Sequence, residues 1–340
     1  MSVPGPTPNV YVLELAGQDD AFAIAEAATA ATDVTPIAAG LATVRGLAAD
    51  FETLAFTHRA SDLLGTTDAD VDSAVALLEA APIDRNGTVA VRARDVRGTT
   101  DVDTQAAERA LGQVLVDRGY AVDLDDPDYV LTALFAGGDE GSAADPGEPG
   151  ICALGWLAAE TDRDFADRRP TDRPFFQPGS MDPQLARALV NLVGAGPETT
   201  ILDPMCGTGG ILLEAGRVGA TPVGGDAQWK MTHGTRENLR ELLDGPWHVY
   251  RGDAARIPLA ENSIDGVVFD APYGRQSKIE GELDELVADA LAESRRVASR
   301  AVVVGDRSWA ATADRVGWTI DSTFERRVHG SLTRYIAVLR

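Results

Sequence analysis

The stretch TTILDPMCGTGGILLEAG, Thr199 to Gly216, decides the architecture of this 340-residue chain. Its apolar start, Ile201-Leu202, reads as a buried strand that stops at Asp203. Gly207, Gly209 and Gly210 follow, and glycines let a backbone approach a ligand closely. From Ile211 to Ala215 the residues favour a helix. Strand, glycine loop and helix in that order form the first unit of a parallel α/β sheet. Two familiar loop chemistries do not fit. The dinucleotide pattern G-x-G-x-x-G fails because Leu212 stands at its third glycine, and G-x-x-x-x-G-K-[ST] is absent. An acid ahead of a helix start repels a pyrophosphate, whereas the helix start welcomes a carboxylate, so a cationic or zwitterionic ligand fits better.

The alternation continues outward from there. Before the stretch, Asp182 and Pro183 predict an N-cap and first turn for a helix through ALVNL. After it, PVGGD, WHVYRGD, SIDGVVFD and RAVVVGD read as strands separated by helices. Continuous apolar strands between helices predict a mostly parallel sheet covered on both faces. The tail alternates around His329-Gly330, which predicts an antiparallel hairpin and a sheet of seven strands. Asp203, Asp226, Asp253 and Asp270 are each expected at a strand's carboxyl end, where open α/β sheets bind ligands. Asp226, 23 positions after Asp203, is placed to hold a ribose diol, and Asp253 to accept from an adenine amine. Asp after a strand is also an ordinary turn residue, but four beside one glycine loop favour function.

The last of these acids opens DAPYGR, Asp270 to Arg275. Together ILDPMCGTGGILLEAG, GGD, RGDAARIPL and DAPYGR resemble the class I S-adenosylmethionine-dependent methyltransferases that act on exocyclic amino groups. RRPTDRPFFQPGSMDPQLARALVNL with DAPYGRQS resembles, more closely, the archaeal tRNA guanosine-10 N2-methyltransferases. The resemblance implies a Rossmann-like methyltransferase domain over residues 181–340, preceded by a ferredoxin-like unit (1–60), a THUMP RNA-binding domain (61–160) and a linker (161–180). It implies S-adenosyl-L-methionine as cofactor and tRNA as partner. Asp203, Pro204, Cys206, Gly207, Gly209, Asp226, Asp253 and Ala254 are expected to bind the cofactor, with Phe175, Phe176 and Gln177 as its roof. Asp270, Pro272 and Tyr273 are expected to be catalytic, Tyr273 by stacking on a flipped guanine. Ala271 departs from the family's Asp-Pro-Pro-Tyr. The chemistry should survive that change, because the acid, the second proline and the tyrosine remain.

Over the first half the resemblance rests on architecture. NVYVLELA, TVAVRARDVRG, YVLTALFA and ICALGWLAA read as strands, and DDAFAIAEAATAA and DTQAAERALGQVLVDRG as helices. This is a mixed α+β region of two small units meeting near residues 50–80. Arg92, Arg94, Arg97, Arg168, Arg169 and Arg275 are candidates for RNA contact, with Arg173 a further one; Arg92, Arg94 and Arg97 read equally as solvated strand-face arginines, and Arg168, Arg169 and Arg173 equally as ties between the linker and the second half. Phe175 and Phe176 are both expected to be buried.

Composition bounds the rest. The formal net charge is −23, from 53 acids against 30 bases, and Lys230 and Lys278 are the only lysines. An acidic, arginine-for-lysine surface suits concentrated salt, where counterion release gives little affinity for nucleic acid. An acidic balance there does not argue against RNA. Cys152 and Cys206 are far apart, which excludes a cysteine zinc site or a disulfide framework. His58, His233, His248 and His329 show no ligand spacing, and no metal is expected. With neither a signal-peptide pattern nor a long apolar run, the chain reads as cytosolic, with no membrane partner; it is expected to be a monomer. Competing readings are methylation of DNA adenine or cytosine, of ribosomal guanine or of protein glutamine, and a non-catalytic RNA-binding protein.

Overall fold

The computed structural model describes residues 9–138, 150–273, 280–329 and 332–340. The chain forms two compact units, Met1–Asp162 and Arg163–Arg340. Among the described residues no helix is long and apolar enough to cross a membrane.

In the first unit the strands are β1 (Tyr11–Leu15), β2 (Ala31–Thr32), β3 (Thr35–Ala38), β4 (Leu41–Val44), β5 (Gly46–Leu47), β6 (Thr57–Asp68), β7 (Thr88–Asp95), β8 (Ala121–Val122), β9 (Tyr129–Ala136) and β10 (Ile151–Glu160). Its helices are α1 (Asp20–Ala27), α2 (Val71–Ala80) and α3 (Thr104–Asp117). Eight strands form one mixed sheet in the order β3-β4-β1-β6-β10-β9-β7-β8, while β2 and β5 pair separately. Period-two alternation builds two cores. On β9, Leu131, Ala133 and Phe135 join Leu78 of α2 and Leu111 of α3, while Leu134 and Ala136 face Val12 and Leu41. The expected boundary at residue 60 falls inside β6. That strand pairs with β1 on one side and β10 on the other, so the two expected pieces share one sheet.

The second unit carries α4 (Pro183–Val193), β11 (Thr200–Asp203), α5 (Gly210–Arg217), β12 (Thr221–Asp226), α6 (Trp229–Leu242), β13 (His248–Arg251), β14 (Gly266–Asp270), α7 (Glu280–Val297), β15 (Ala301–Gly305), α8 (Ala310–Arg315), β16 (Ile320–His329) and β17 (Leu332–Leu339). Helix α4 begins as expected: the Asp182 carboxylate accepts from the amides of Gln184 and Leu185, and Pro183 is the first helical residue. The sheet order is β13-β12-β11-β14-β15-β17-β16. Every pairing from β13 to β15 is parallel, and β17 runs antiparallel to both its neighbours. Turn residues 330–331 of the expected hairpin lie outside the described residues. Strand β14, GVVFD, is buried on both faces up to its half-buried final Asp270.

The expected linker is not a linker. Residues 163–180 belong to the second unit, and charges hidden in it explain why. The Arg168 guanidinium donates twice to the Glu214 carboxylate of α5, at 2.6 and 3.0 Å. Arg187 of α4 reaches the same carboxylate at 2.9 Å. Glu214 is fully buried and both arginine side chains are 4% exposed. A buried charge needs such partners, because desolvation costs several kcal/mol per ion.

Candidate active site

Strand order in space sets the site. It reverses between β11 and β14, the switch point where doubly wound sheets bind ligands. Asp203 ends β11 and Asp270 ends β14, one on each side of that point, and Asp226 ends the next strand over. The fourth expected acid differs. Strand β13 stops at Arg251, and Asp253 lies two residues beyond, exposed, its carboxylate accepting from the Ala255 amide at 3.0 Å. Three strands, not four, end in aspartate.

A cleft of about 200 Å³ opens at the switch point, lined by Asp203, Cys206, Gly207, Thr208, Gln177 and Asp270 among others. Pro204, Gly209, Asp226 and Ala254 stand outside that lining, although Asp226 touches it. Its Oδ2 accepts from the Gly207 amide at 3.2 Å, and its Oδ1 from the Gln228 amide at 2.8 Å. Gly207 has φ +52, and a Cβ there would meet only the Met205 carbonyl, at 4.0 Å. The loop is thus held down on one side and bare toward the cleft.

The acids share one electrostatic character. Asp203 is 2% exposed and accepts from the Met205 amide at 3.0 Å. Burial holds its carboxyl well above the usual aspartate range, and the charges of Asp226 and Asp270 push the same way. Burial also raises Asp226, against the pull of the Gln228 and Gly207 amides. Asp270 is raised by burial, with Arg334 and Tyr273 opposing. Burial lifts the Cys206 thiol too, so it is an inert small residue of the loop. An edge this acidic fits a ligand with a cationic centre and rejects a polyphosphate.

Tyr273 occupies an unexpected place. Its hydroxyl donates to both Asp270 oxygens, at 2.8 and 3.1 Å. Pro272 is exposed and Ala271 is 2% exposed, set in the core with Phe269 and Leu283. Alanine at 271 is therefore a packing residue. Gly274 and Arg275 lie outside the described residues.

Three residues of this site escaped the sequence reading. Asn238 of α6 is fully buried and clamps the backbone at Phe175 to the glycine loop. It accepts from the Phe175 amide at 2.8 Å and donates to the carbonyls of Phe175 and Thr208, both at 2.9 Å. Gly234, on the same helix, passes so close that a Cβ would lie 2.0 Å from the Phe175 ring. Arg334 of β17, 4% exposed, donates from Nε to the Tyr273 hydroxyl at 3.1 Å. A lone asparagine in a helix and an arginine beside a turn carry no pattern that would single them out.

The expectations for Phe176 burial and for the arginines need correction. Phe175 packs on α6, but Phe176 is 39% exposed. Arg168 is locked to Glu214, and Arg173 is buried with Nε donating to the Arg168 carbonyl at 3.1 Å. Neither can meet RNA phosphates. Arg97 is paired with Asp20 and has φ +61. Arg92 donates to the Leu124 carbonyl at 2.7 Å, and Arg94 pairs with Glu14 at 3.0 Å while half exposed. Arg169 is exposed.

A seven-stranded sheet of this order, with a bare glycine loop and an acidic carboxyl edge, defines a class I S-adenosylmethionine-dependent methyltransferase fold. Residues 170–336 match the family model described as UPF0020, RMKL-like, methyltransferase domain. The tRNA (guanine(10)-N2)-dimethyltransferase of Methanothermobacter thermautotrophicus is 40% identical over 188 residues, 54% of this chain and 56% of that relative. The chain thus spans little more than half the length of this relative. The probable tRNA (guanine(10)-N2)-dimethyltransferase of Methanothermococcus thermolithotrophicus is 30% identical over 169 residues, 46% of this chain and 98% of that protein. The crystal structure of TrmN from Thermus thermophilus matches across 97% of this chain and 99% of that one, with a TM-score of 0.50 and 20% identity, a likeness of fold. The chain belongs to the family of the archaeal tRNA (guanine(10)-N2)-dimethyltransferases.

Proposed function

We propose that this chain methylates the exocyclic N2 of guanosine 10 in tRNA, giving N2-methyl- and then N2,N2-dimethylguanosine. The observation that carries the reading is the position of Asp270, a largely buried carboxylate on the same cleft as Asp203 and the glycine loop. S-adenosyl-L-methionine, when bound, supplies an electrophilic methyl group on a sulfonium. The residues present fit that group: the bare side of Gly207 and Thr208 admits its amino-acid end, Asp226 suits a ribose diol, and the acidic edge suits its positive sulfur. Ser180 and Gln177 close the roof side, Ser180 by a 3.0 Å hydrogen bond to Thr208.

A guanine amine is a weak nucleophile because its lone pair is delocalised into the ring. The Asp270 carboxylate accepts a hydrogen bond from that amine and localises the lone pair. Its Oδ would take the proton that the amine loses on methylation, the S–CH3 bond of the sulfonium breaking so that the sulfur leaves as a neutral thioether. Burial raises its basicity toward what such a step needs, the logic by which enzymes tune carboxylates. Positioning contributes most, up to roughly 7–11 kcal/mol in favourable cases. The first unit, read as ferredoxin-like and THUMP parts of one sheet, offers Arg92 and Arg94 to RNA, and Arg169 is a further exposed contact. The acidic surface fits a cytoplasm rich in salt.

The test is incubation with labelled S-adenosylmethionine and unmodified tRNA transcripts in molar potassium chloride, followed by nucleoside identification. N2-methylated guanosine that moves away when position 10 is changed supports the reading. Label in another base, or none in tRNA while the cofactor binds, sinks it.

A further inference from the structure

The antiparallel strand β17 does something a parallel strand there could not. Parallel neighbours end at the catalytic edge, whereas β17 begins there: Tyr335 lies opposite Gly305, the last residue of β15. Arg334, one residue earlier, therefore stands at the edge where β14 ends in Asp270. Its guanidinium is buried, holds the Tyr273 hydroxyl through Nε at 3.1 Å, and brings a terminal nitrogen to 3.7 Å from Asp270 Oδ2.

We propose that Arg334 is a positioning residue for methyl transfer, fixing both the orientation of Asp270 and the resting place of Tyr273. The inference rests on the functional reading above. The Tyr273 hydroxyl covers both oxygens of Asp270, which are the acceptors that the target amine needs. The phenol holds one lone-pair direction on each oxygen, so an amine approaching that side of the carboxylate takes its place in exchange. Arg334 touches both partners of that exchange. It keeps a hydrogen bond to the phenol as the ring leaves the carboxylate, and its second nitrogen closes on Oδ2. The carboxylate stays ionised and aimed, and Tyr273 is free to stack on the base.

Asp270 is faced by Tyr273 from its own loop, Arg334 from β17, Asp306 beyond β15 and Asp203 at the end of β11. The acids favour its protonation, and Arg334 is the cation that opposes them. Removing the guanidinium must move the acid limb of turnover to higher pH.

The experiment measures kcat, KM for tRNA and the pH profile of Arg334→Met, Arg334→Lys and Tyr273→Phe, with calorimetry of cofactor binding as a folding control. Arg334→Met is expected to lower kcat about tenfold or more and to raise the acid limb by about one pH unit or more. Cofactor affinity should stay within about twofold, since Arg334 does not line that part of the cleft. Arg334→Lys should restore the acid limb but only part of kcat, and the Arg334→Met and Tyr273→Phe losses should not add. The carboxyl titration of Asp270, followed by NMR on carboxyl-labelled aspartate and assigned with Asp270→Asn, reads the same link without turnover. An upward shift in Arg334→Met, with no methylation of tRNA by the natural chain, would discard the functional reading and keep the link. Methylation by the natural chain, with the limb and the carboxyl titration unmoved in Arg334→Met, overturns the inference. So does equal loss of cofactor binding in the Met and Lys variants.

Discussion

Two buried carboxylates, Asp203 and Glu214, stand on either side of one glycine loop and have opposite surroundings. Glu214 is fully buried between Arg168 and Arg187, its oxygens bound by guanidinium nitrogens at 2.6 to 3.0 Å. Asp203 is 2% exposed and accepts from one backbone amide; among the described residues no cation pairs with it. The first charge is neutralised where it sits, and it docks residues 163–180 onto α4 and α5. The second has one backbone amide and, among the described residues, no cation. A buried acid with its partners built in is architecture, whereas one without them is the place where the proposed function puts a positive group. Asp270 lies between these extremes, shielded by Tyr273 and by a guanidinium at 3.7 Å.

The comparison can be broken at several points. Asp270→Asn should reduce single-turnover methyl transfer by about 10²–10⁴ with the fold intact; a variant retaining near-normal rates would move catalysis elsewhere. Glu214→Ala leaves two buried guanidiniums facing each other, and denaturant unfolding at fixed salt should show a loss of about 3–5 kcal/mol. Asp203→Asn should act oppositely, stabilising the chain at neutral pH by about 1–3 kcal/mol while weakening cofactor binding in a calorimeter.

The sign of that gain follows from linkage. The folded-state pKa of Asp203 is raised above its ordinary 3.8. As pH rises through the unfolded value, the unfolded chain releases a proton that the folded chain keeps, so the acid costs stability above that point. The advantage of asparagine should therefore fade below about pH 4, and unfolding curves taken from pH 3 to 7 check it. At the small end, Arg169→Ala should change stability by less than about 0.5 kcal/mol. Arg169 is exposed beside the buried Arg168, and a large loss there would erase the contrast between the two.

Much of the second unit was legible because its signals are local. Apolar runs that end in an acid, a glycine loop opening a helix and Asp182-Pro183 each describe a few neighbouring residues. Those are the distances over which backbone preference acts. Misreadings came where the partner is far away in sequence. Arg168 read equally as an RNA contact or a tie to the second half, and only its partner Glu214, 46 positions on, decides for the tie. Phe176 looked buried because its neighbour is, yet α6 has room for one ring, at Gly234. The boundary at residue 60 failed because β6 is long enough to serve both halves of one sheet.

By itself the sequence determined the class of fold, three of the four acids expected at strand ends, and the preference for a cationic over a phosphate ligand. Each follows from periodicity, turn chemistry and charge, which read along the chain. Only the tertiary structure decided which charges are paired. It set Asp203 beside Asp270 across the switch point, hid Arg168 against Glu214, and brought Arg334 from the last strand to Tyr273. The reason is physical: charge and hydrogen bonding depend on separation and burial, and both are created when distant segments pack.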